Sequence, residues 1–312
     1  MPLLVVTGAS GFLGTHAMRY LRDAGIQVKA LCRTGGRILP DSIVIEPMDF
    51  QSIAKAMLGA TAVVHLAGLA HVASSGRNAL DDEFRRVNID HALCVGRAAA
   101  LVGATMVFVS SAGVLGDRSP AGGLTDDSVP APYDMYTHSK LEAERQLQRL
   151  ASEFGLGLVI VRPPLVIGPN APGNYGRILR MVGRWPLPVG SLNEKRSVIG
   201  ARNLAGYLFR AATDVRCKGR TMLLCEPAPL SLPEMVTMIA KIRRVKYPMI
   251  SVPQPLLRSA LRLIGRSADA LRLFNSFVLV PSVAPIEFGW RPLYSTAEEF
   301  EWSARTPTEG GY

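Results

Sequence analysis

The protein has 312 residues, of which 48% are hydrophobic, 19% charged and 7% aromatic, and its formal net charge is +10. This composition excludes intrinsic disorder, collagen-like repeats and a long coiled coil, and the length suits one large domain with a smaller appendage. The four cysteines form no C-x-x-C pair, so neither a zinc site nor a disulfide framework is expected, and the expected location is a reducing cytoplasm. No apolar run approaches the roughly 18 residues needed to cross a bilayer.

Short apolar runs alternate with helical patterns along the first half of the chain. Strands are expected at 3–7, 27–32, 43–46, 62–66, 106–110 and 158–162, and helices at 12–24, 53–58, 84–100 and 136–154. Strands that read as continuous apolar runs are buried on both faces. The alternation therefore predicts a doubly wound, Rossmann-like α/β fold with a parallel sheet covered by helices.

The pattern changes after Arg162, where prolines and glycines crowd together. We predict a dinucleotide-binding domain over 1–168 and a smaller, mainly substrate-binding region over 169–312. Helices are expected at 175–182 and 204–212, and a third should begin at a capping box over 231–234. Segments near 197–225 are expected to add strands to the main sheet, so that the two regions interleave.

Three glycines follow the first strand directly and open a helix. Gly8 permits a tight turn, Gly11 lets a pyrophosphate approach the backbone, and Gly14 lets the helix pack closely on the strand. The first helical residues, Phe12 and Leu13, then offer free N–H groups at the positive end of the helix dipole. This turn predicts a dinucleotide-binding site.

The end of the second strand bears on which dinucleotide binds. NAD-binding proteins of this architecture usually carry an acidic residue there for the adenosine ribose, but here the strand ends at Cys32 and Arg33. An acid would repel a 2′-phosphate, whereas Arg33, with Arg37 as a helper, can pair with one. NADP is therefore favoured over NAD, which stays open.

Tyr136 and Lys140 lie at positions i and i+4 of one predicted helix, on the same face. A nearby cation is expected to lower the pKa of the phenol from its usual value of about 10, which would suit it to proton transfer at neutral pH. A strand upstream ends in Ser110 and Ser111, at the edge where open parallel sheets bind ligands. Together these groups predict an acid–base site.

The order and spacing of these motifs resemble the extended short-chain dehydrogenases/reductases, in the group of nucleotide-sugar epimerases, dehydratases and ketoreductases. The resemblance covers nearly the whole chain. The motifs are T-G-A-S-G-F-L-G at 7–14, H-L-A-G at 65–68, V-N-I at 87–89, S-S-A-G-V-L-G at 110–116, Y-T-H-S-K at 136–140, R-P-P-L-V-I-G-P at 162–169 and F-G-W-R-P at 288–292.

The resemblance implies a catalytic triad of Ser111, Tyr136 and Lys140, in which Lys140 also bonds the nicotinamide ribose. Asn88 would have a structural or supporting role. Further contacts to the cofactor are implied for a set of residues that follow the strands, namely Asp49, Phe50, Leu66, Ala67, Gly68 and Pro163.

A narrower resemblance points to bacterial 4-ketoreductases that make UDP-linked 2-acetamido-2,6-dideoxy sugars for surface polysaccharide. By this resemblance Asn174 and Arg196 would hold the substrate diphosphate, and His71 would line the sugar pocket. A guanidinium also forks onto phosphate oxygens by its own chemistry. Leu165 stands where the epimerases carry Asn, which weighs against plain UDP-galactose 4-epimerase.

Three functions follow as alternatives. The first is reduction by NADPH of the C4 ketone of a nucleotide-diphospho-4-keto sugar, specifically a UDP-4-keto-6-deoxy-N-acetylhexosamine. The second is 4-epimerisation of a nucleotide sugar or polyprenyl-diphospho sugar with a recycled NAD. The third is a non-catalytic dinucleotide sensor, which the intact triad disfavours. The family would suggest a homodimer through helices 84–100 and 136–154.

Basic residues concentrate late in the chain, with eight of them against one acid between 241 and 272. We expect them to frame the substrate end of the pocket. The alternative is a peripheral membrane contact over 256–273, because basic amphipathic helices lie on anionic lipid. Nucleic acid and metal ions are not expected, since neither an aromatic platform nor a metal-ligand spacing accompanies the charge.

Overall fold

The computed structural model describes residues 2–39, 42–70, 77–184, 186–263 and 273–305. The strands in these ranges are β1 (Leu3–Thr7), β2 (Gln27–Arg33), β3 (Ile43–Ile45), β4 (Ala62–His65), β5 (Thr105–Val109), β6 (Leu158–Arg162), β7 (Leu165–Ile167), β8 (Lys195–Arg196), β9 (Val198–Gly200), β10 (Thr221–Leu223) and β11 (Leu230–Ser231).

The helices alternate with these strands through the first half of the chain and dominate the second half. They are α1 (Phe12–Asp23), α2 (Phe50–Ala56), α3 (Arg77–Phe84), α4 (His91–Leu101), α5 (Met135–Phe154), α6 (Gly173–Met181), α7 (Ala201–Thr213), α8 (Leu232–Arg243), α9 (Gln254–Leu263), α10 (Ala284–Glu287) and α11 (Thr296–Arg305). No helix within the described residues is long and apolar enough to span a membrane.

Seven strands form one parallel sheet in the order β10-β6-β5-β4-β1-β2-β3. The register places Val5 opposite both Lys29 and Val63, and Val107 opposite Val159. The central strands are buried over almost their whole length, because helices cover both faces of the sheet. The structure thus confirms the predicted doubly wound, Rossmann-like fold.

Alternate residues of β1 enter two different cores. Val5 packs into the core under α2, α4 and α5, while Leu4 and Val6 face the core under α1 and α7. This alternation is the period of two that a strand imposes on its side chains. The carboxyl ends of the strands, where the predicted site residues cluster, are thereby held between two packed layers.

The second half of the chain returns to the sheet in part as expected. β10 joins the main sheet beside β6, and α7 packs on α1. The prediction for the segment at 198–200 was wrong: β9 pairs with β7 in a separate two-stranded sheet. A strand has only two edges, and β5 and β10 already occupy both edges of β6.

The predicted helix at 84–100 is longer and less regular than expected. Residues 77–101 form three consecutive helical segments with no residue between them: α3, a π-helical segment (Arg85–Asp90) and α4. A π turn carries an additional residue and often marks a functional position. Here it carries Asn88, whose contacts are described below.

A smaller core lies in the second region and is built from α6, α8, α9 and α11. Its buried members include Tyr175, Val236, Leu257 and Phe300. The capping box that predicts α8 is present, because Ser231 accepts a hydrogen bond from the Glu234 amide and Glu234 accepts one from the Ser231 amide.

Candidate active site

The glycine turn is so tight that side chains at two of its positions would collide with backbone. A Cβ atom at Gly8, whose φ is +67°, would lie 2.5 Å from the Ala67 amide nitrogen, and one at Gly14 would lie 2.1 Å from the Gly8 carbonyl oxygen. At Gly11 the nearest atom would be that same oxygen at 3.3 Å. Gly8 and Gly14 therefore let β1, α1 and the segment after β4 pack together, and Gly11 keeps the backbone accessible.

The start of α1 fits a pyrophosphate. Its N-cap is Gly11, no side chain caps the helix, and its first turn holds no acidic residue. The free amides of the first turn, beginning with Phe12 and Leu13, form the positive end of the helix dipole. This end of the helix favours an anion. The residues present therefore fit the dinucleotide that the sequence predicts.

The residues predicted for the adenosine half lie at the ends of β2 and at the start of α2. Arg33 ends β2, is exposed, and lies against Gly36, where a Cβ would be 2.9 Å from its Cγ. Asp49 caps α2 by accepting hydrogen bonds from the Gln51 and Ser52 amides at 3.0 and 3.3 Å. The neighbouring Phe50 is exposed. Binding of the cofactor by Asp49 and Phe50 stays a prediction.

The side chains of Ser111 and Tyr136 lie close together, and the Ser111 hydroxyl lowers the pKa of the Tyr136 phenol. Ser111 directly follows the carboxyl end of β5 and also accepts a hydrogen bond from the Gly113 amide at 3.1 Å, which begins a 3-10 turn over Ala112–Leu115. Tyr136 lies in the first turn of α5, which Asp134 caps. Two hydroxyl groups from separate elements thus meet at the carboxyl edge of the sheet.

The acidity of Tyr136 differs from the expectation. Burial raises its pKa to about 12, and the nearby Ser111 hydroxyl offsets this only in part. The sequence predicts the opposite direction, because it places a cation one turn along the helix. In the structure the desolvation of the phenol dominates, so the hydroxyl holds its proton at neutral pH.

Lys140 is buried beside the carboxyl end of β5. Its Nζ atom donates to the Val109 carbonyl oxygen at 3.0 Å and lies 4.8 Å from the centre of the Phe108 ring. A Cβ at Gly68 would be only 3.1 Å from Nζ. Burial lowers the pKa of Lys140 to about 8, against an opposing contribution from Glu144. The ammonium therefore lies beside the segment 66–68 predicted to follow the cofactor.

Asn88 connects this segment to α5. Its side chain accepts from the Leu69 amide at 2.7 Å and donates both to the Leu69 carbonyl at 3.0 Å and to Ser139 Oγ at 2.8 Å. Ser139 in turn donates to the Tyr136 carbonyl at 2.7 Å. Asn88 thus has contacts that suit the supporting role predicted for it, whereas Ser139 was not predicted although it directly precedes Lys140.

A buried ion pair below Lys140 was also missed. Arg162 donates to both carboxylate oxygens of Glu144, at 3.0 and 2.6 Å, and both side chains are buried. Glu144 lies four residues after Lys140 on α5, so helical spacing alone places Tyr136, Lys140 and Glu144 in a row. The bidentate geometry fixes the strand β6 to the helix that carries the site.

A buried histidine supports the glycine turn from beneath. His65 Nδ1 is 2.8 Å from Thr7 Oγ1, and the same hydroxyl accepts a longer bond from the Ala67 amide at 3.4 Å. Burial, with His91 and Lys140 nearby, lowers the pKa of His65 well below its usual value. The imidazole is therefore neutral and serves packing.

The remaining predicted residues lie farther along the chain. Pro163 accepts a hydrogen bond from the Ala112 amide at 2.9 Å and so joins β6 to the turn after Ser111. Asn174 is exposed in the first turn of α6, and Arg196 is half-buried on β8. His71 lies outside the described residues. Substrate binding by Asn174, Arg196 and His71 stays a prediction.

Among the described residues, no cluster of three or more histidine, cysteine, aspartate or glutamate side chains could hold a metal ion. The glycine turn, the Ser111–Tyr136 pair and the buried Lys140 share one edge of a parallel sheet. Such an arrangement suits a dinucleotide-dependent oxidoreductase.

Comparison with known proteins gives the family. The model of the NAD dependent epimerase/dehydratase family matches residues 4–223, and the chain belongs to that family. This confirms the resemblance found in the sequence. The protein is an NAD(P)-dependent enzyme, and its cofactor is a nicotinamide dinucleotide.

Two curated relatives and one solved structure illustrate the range. The chain is 28% identical to UDP-glucose 4-epimerase of Vibrio cholerae, over 97% of this chain and 94% of the relative. It is 24% identical to GDP-6-deoxy-D-mannose reductase of Pseudomonas aeruginosa, over 85% and 88%. A structure of UDP-glucose 4-epimerase from Thermotoga maritima, solved with UDP-glucose, superposes with a TM-score of 0.78 at 20% identity and 97% coverage of both chains. The relatives thus include both epimerases and reductases.

Proposed function

We propose that the protein reduces the C4 ketone of a nucleotide-diphospho-4-keto sugar with NADPH, with a UDP-4-keto-6-deoxy-N-acetylhexosamine as the substrate class. The observation that carries the proposal is the proximity of the Ser111 and Tyr136 hydroxyl groups beside the buried Lys140. The reductase among the relatives supports the direction of the reaction.

The side chains of this site suit a reduction. When bound, the nicotinamide supplies the hydride. Tyr136, which holds its proton at neutral pH, donates that proton to the oxygen of the former ketone. Ser111 Oγ hydrogen-bonds the same oxygen and orients it, and Lys140 bonds the ribose of the cofactor. Arg33 pairs with the 2′-phosphate, and Asn174, Arg196 and His71 hold the substrate.

The test uses the purified protein, NADPH and UDP-4-keto-6-deoxy-N-acetylglucosamine, with the loss of reduced-nicotinamide absorbance as the readout. We expect turnover, and we expect Tyr136→Phe to lower kcat roughly 10²- to 10⁴-fold with little change in KM. Tyr20→Phe is the control, because Tyr20 packs against Gly206 on the far side of α1. Absence of turnover with this and related keto sugars would refute the proposal.

The second candidate is 4-epimerisation, favoured by the identity to the Vibrio cholerae enzyme over nearly the whole chain. In that reaction the same hydroxyl pair would remove and return one proton while the dinucleotide stays bound. The two candidates separate in one measurement, which identifies the dinucleotide that copurifies. Tightly held NAD, with interconversion of UDP-hexoses in the absence of added cofactor, would select the epimerase.

We also propose that the protein is a homodimer through residues 84–100 and α5. A cavity of about 760 Å³ lies along these elements and is lined in part by the apolar side chains of Phe84, Ile89 and Leu141. The exposed Arg145 lies on its rim. Sedimentation equilibrium should show a dimer, and Arg145→Glu should weaken it, whereas a monomeric wild-type protein would rule the proposal out.

A further inference from the structure

Two stretches of the second region carry only one sign of charge. Residues 170–193 and 241–263 together contain nine basic residues and no acidic residue. All of the nine except Arg243 are exposed, and they are Arg177, Arg180, Arg184, Lys241, Arg244, Lys246, Arg258 and Arg262. Most of the net charge of the protein is therefore concentrated on this part of its surface.

Helix α9 is apolar on two sides. Leu257 is buried and Leu261 packs beside it in the small core of the second region. On the other side Leu256 and Leu263 are 63% and 88% exposed, and with Ala260 they follow the i, i+4, i+7 spacing of one helix face. An outward-facing stripe of this kind is not explained by packing within the described chain.

Two cations lie on another side of the same helix, because Arg258 and Arg262 are each two residues from a member of the stripe. Arg258 and Arg262 are four residues apart on α9 and both are exposed, and the guanidinium of Arg258 lies 4.5 Å from the centre of the Phe274 ring. The aromatic ring holds Arg258 against the body of the protein beside the helix. The arginine side chains are long enough to reach a charged surface that the exposed leucines contact.

A second apolar and basic patch lies where α6 and α8 end. The two ends are in contact, because Arg243 donates to the Val182 carbonyl at 3.4 Å and a Cβ at Gly183 would lie 3.5 Å from Val245. Met181 and Val245 are 39% and 37% exposed at this junction. The cationic side chains of Arg184, Arg244 and Lys246 lie within three residues of them along the chain.

We propose that these two patches form a docking surface for an anionic lipid bilayer, here called the basic–apolar face and defined by the exposed residues of 177–184 and 241–263. Aliphatic side chains on a helix flanked by Arg and Lys insert at the boundary of headgroups and acyl chains. Nucleic acid would instead be bound by stacking on aromatic side chains. The proposal concerns a surface and does not depend on the reaction proposed above.

The experiment is cosedimentation of the full-length protein with vesicles. We expect binding to vesicles of equal parts phosphatidylcholine and phosphatidylglycerol, at least tenfold weaker binding to phosphatidylcholine alone, and loss of binding at high salt. Leu256→Ser with Leu263→Ser should weaken binding at least tenfold without changing turnover in solution. Leu101→Ser, at an equally exposed leucine on α4, is the matched control and should bind like the wild type.

A charge variant separates the electrostatic part. Arg258→Gln with Arg262→Gln should weaken binding to the anionic vesicles, whereas Arg22→Gln with Arg220→Gln, at exposed positions outside this face, should not. Absence of binding to anionic vesicles overturns the proposal. So does tighter binding to a duplex nucleic acid that the leucine variant leaves unchanged, and so does a self-association that the leucine variant abolishes, because then a second copy covers the stripe.

Discussion

Lys140 donates to the carbonyl oxygen of Val109 at 3.0 Å although the residue is only 5% exposed. A buried ammonium costs free energy unless it is fully paired, and this cost lowers the pKa of Lys140 to about 8. The position of Lys140 therefore costs stability. It also lies one helical turn from Tyr136, so it links the acid–base site to the segment predicted to bind the cofactor.

Replacement of Lys140 by Met should stabilise the fold and abolish activity. At pH 7 the buried charge is present in the folded chain, so its removal should raise the free energy of unfolding by about 1 to 3 kcal/mol. Between pH 8 and the usual value of 10.5, the unfolded chain holds a proton on Lys140 that the folded chain has released. The free energy of unfolding of the wild type should therefore increase as the pH rises through this range, and that of the variant should not.

The measurement is thermal and urea unfolding at several pH values together with kcat. Lys55→Met on α2 is the control, because Lys55 is exposed and should alter neither quantity much. A Lys140→Met protein that is less stable than the wild type at pH 7 would show that the hydrogen bond to Val109 outweighs the cost of burial.

Arg33 should set the choice of dinucleotide. Arg33→Ala should lower kcat/KM for NADPH about 10- to 100-fold and leave NADH nearly unchanged, because a charge-assisted hydrogen bond to the 2′-phosphate is lost. Steady-state kinetics with both cofactors measures the ratio. Arg22→Ala, at an exposed arginine at the end of α1, should leave the ratio as it is. If Arg33→Ala keeps the wild-type preference for NADPH over NADH, Arg33 does not contact the 2′-phosphate.

The Glu144–Arg162 pair should be strongly coupled. Glu144→Gln leaves a buried guanidinium without its carboxylate and should lower the free energy of unfolding by about 3 to 5 kcal/mol. The double replacement Glu144→Leu with Arg162→Met removes both charges and should cost less than either single change. Urea unfolding of the wild type, Glu144→Leu, Arg162→Met and the double variant gives the coupling energy, and additive losses would contradict the prediction.

The stability of the protein should fall on acidification through His91. Burial lowers the pKa of His91 to about 4 from a usual value of 6.5. As the pH drops between these two values, the unfolded chain binds a proton that the folded chain does not, so the free energy of unfolding decreases, by about 1 to 3 kcal/mol. His91→Phe should flatten this part of the profile.

Urea unfolding at pH values from 7 to 4 checks this prediction. His138→Phe is the matched control, because His138 is exposed on α5 and should leave the profile unchanged. Glu299 acts in the opposite direction, since burial raises its pKa to about 7. The comparison therefore rests on the difference between variant and wild type at each pH.

The regular part of the fold could be predicted because the apolar periodicity of each segment is local. The β6 strand begins and ends where the sequence predicts, and α5 begins one residue earlier. The partner of β9 could not be predicted, because it depends on which sheet edges other strands have already occupied. The π turn at Asn88 was also beyond reach, since one additional residue hardly changes a helical pattern.

The candidate site shows the same division. Spacing alone places Tyr136, Lys140 and Glu144 on one face of α5, and the glycine turn follows from its motif. The pKa of Tyr136 could not be read from the sequence, because it depends on how much water reaches the phenol and where the ammonium of Lys140 finds its acceptor. Both are properties of tertiary packing.

The return of α7 and β10 to the dinucleotide-binding half limits how this enzyme can be recombined with its relatives. A hybrid joined after residue 168 would take from another parent both the strand that covers the edge of β6 and the helix that shields α1. The strand and the helix from the other parent would then pack against β6 and α1 of this protein, whose side chains differ from those of their own parent. An exchange of substrate specificity therefore needs two junctions, so that the native segment 201–223 travels with the amino-terminal half.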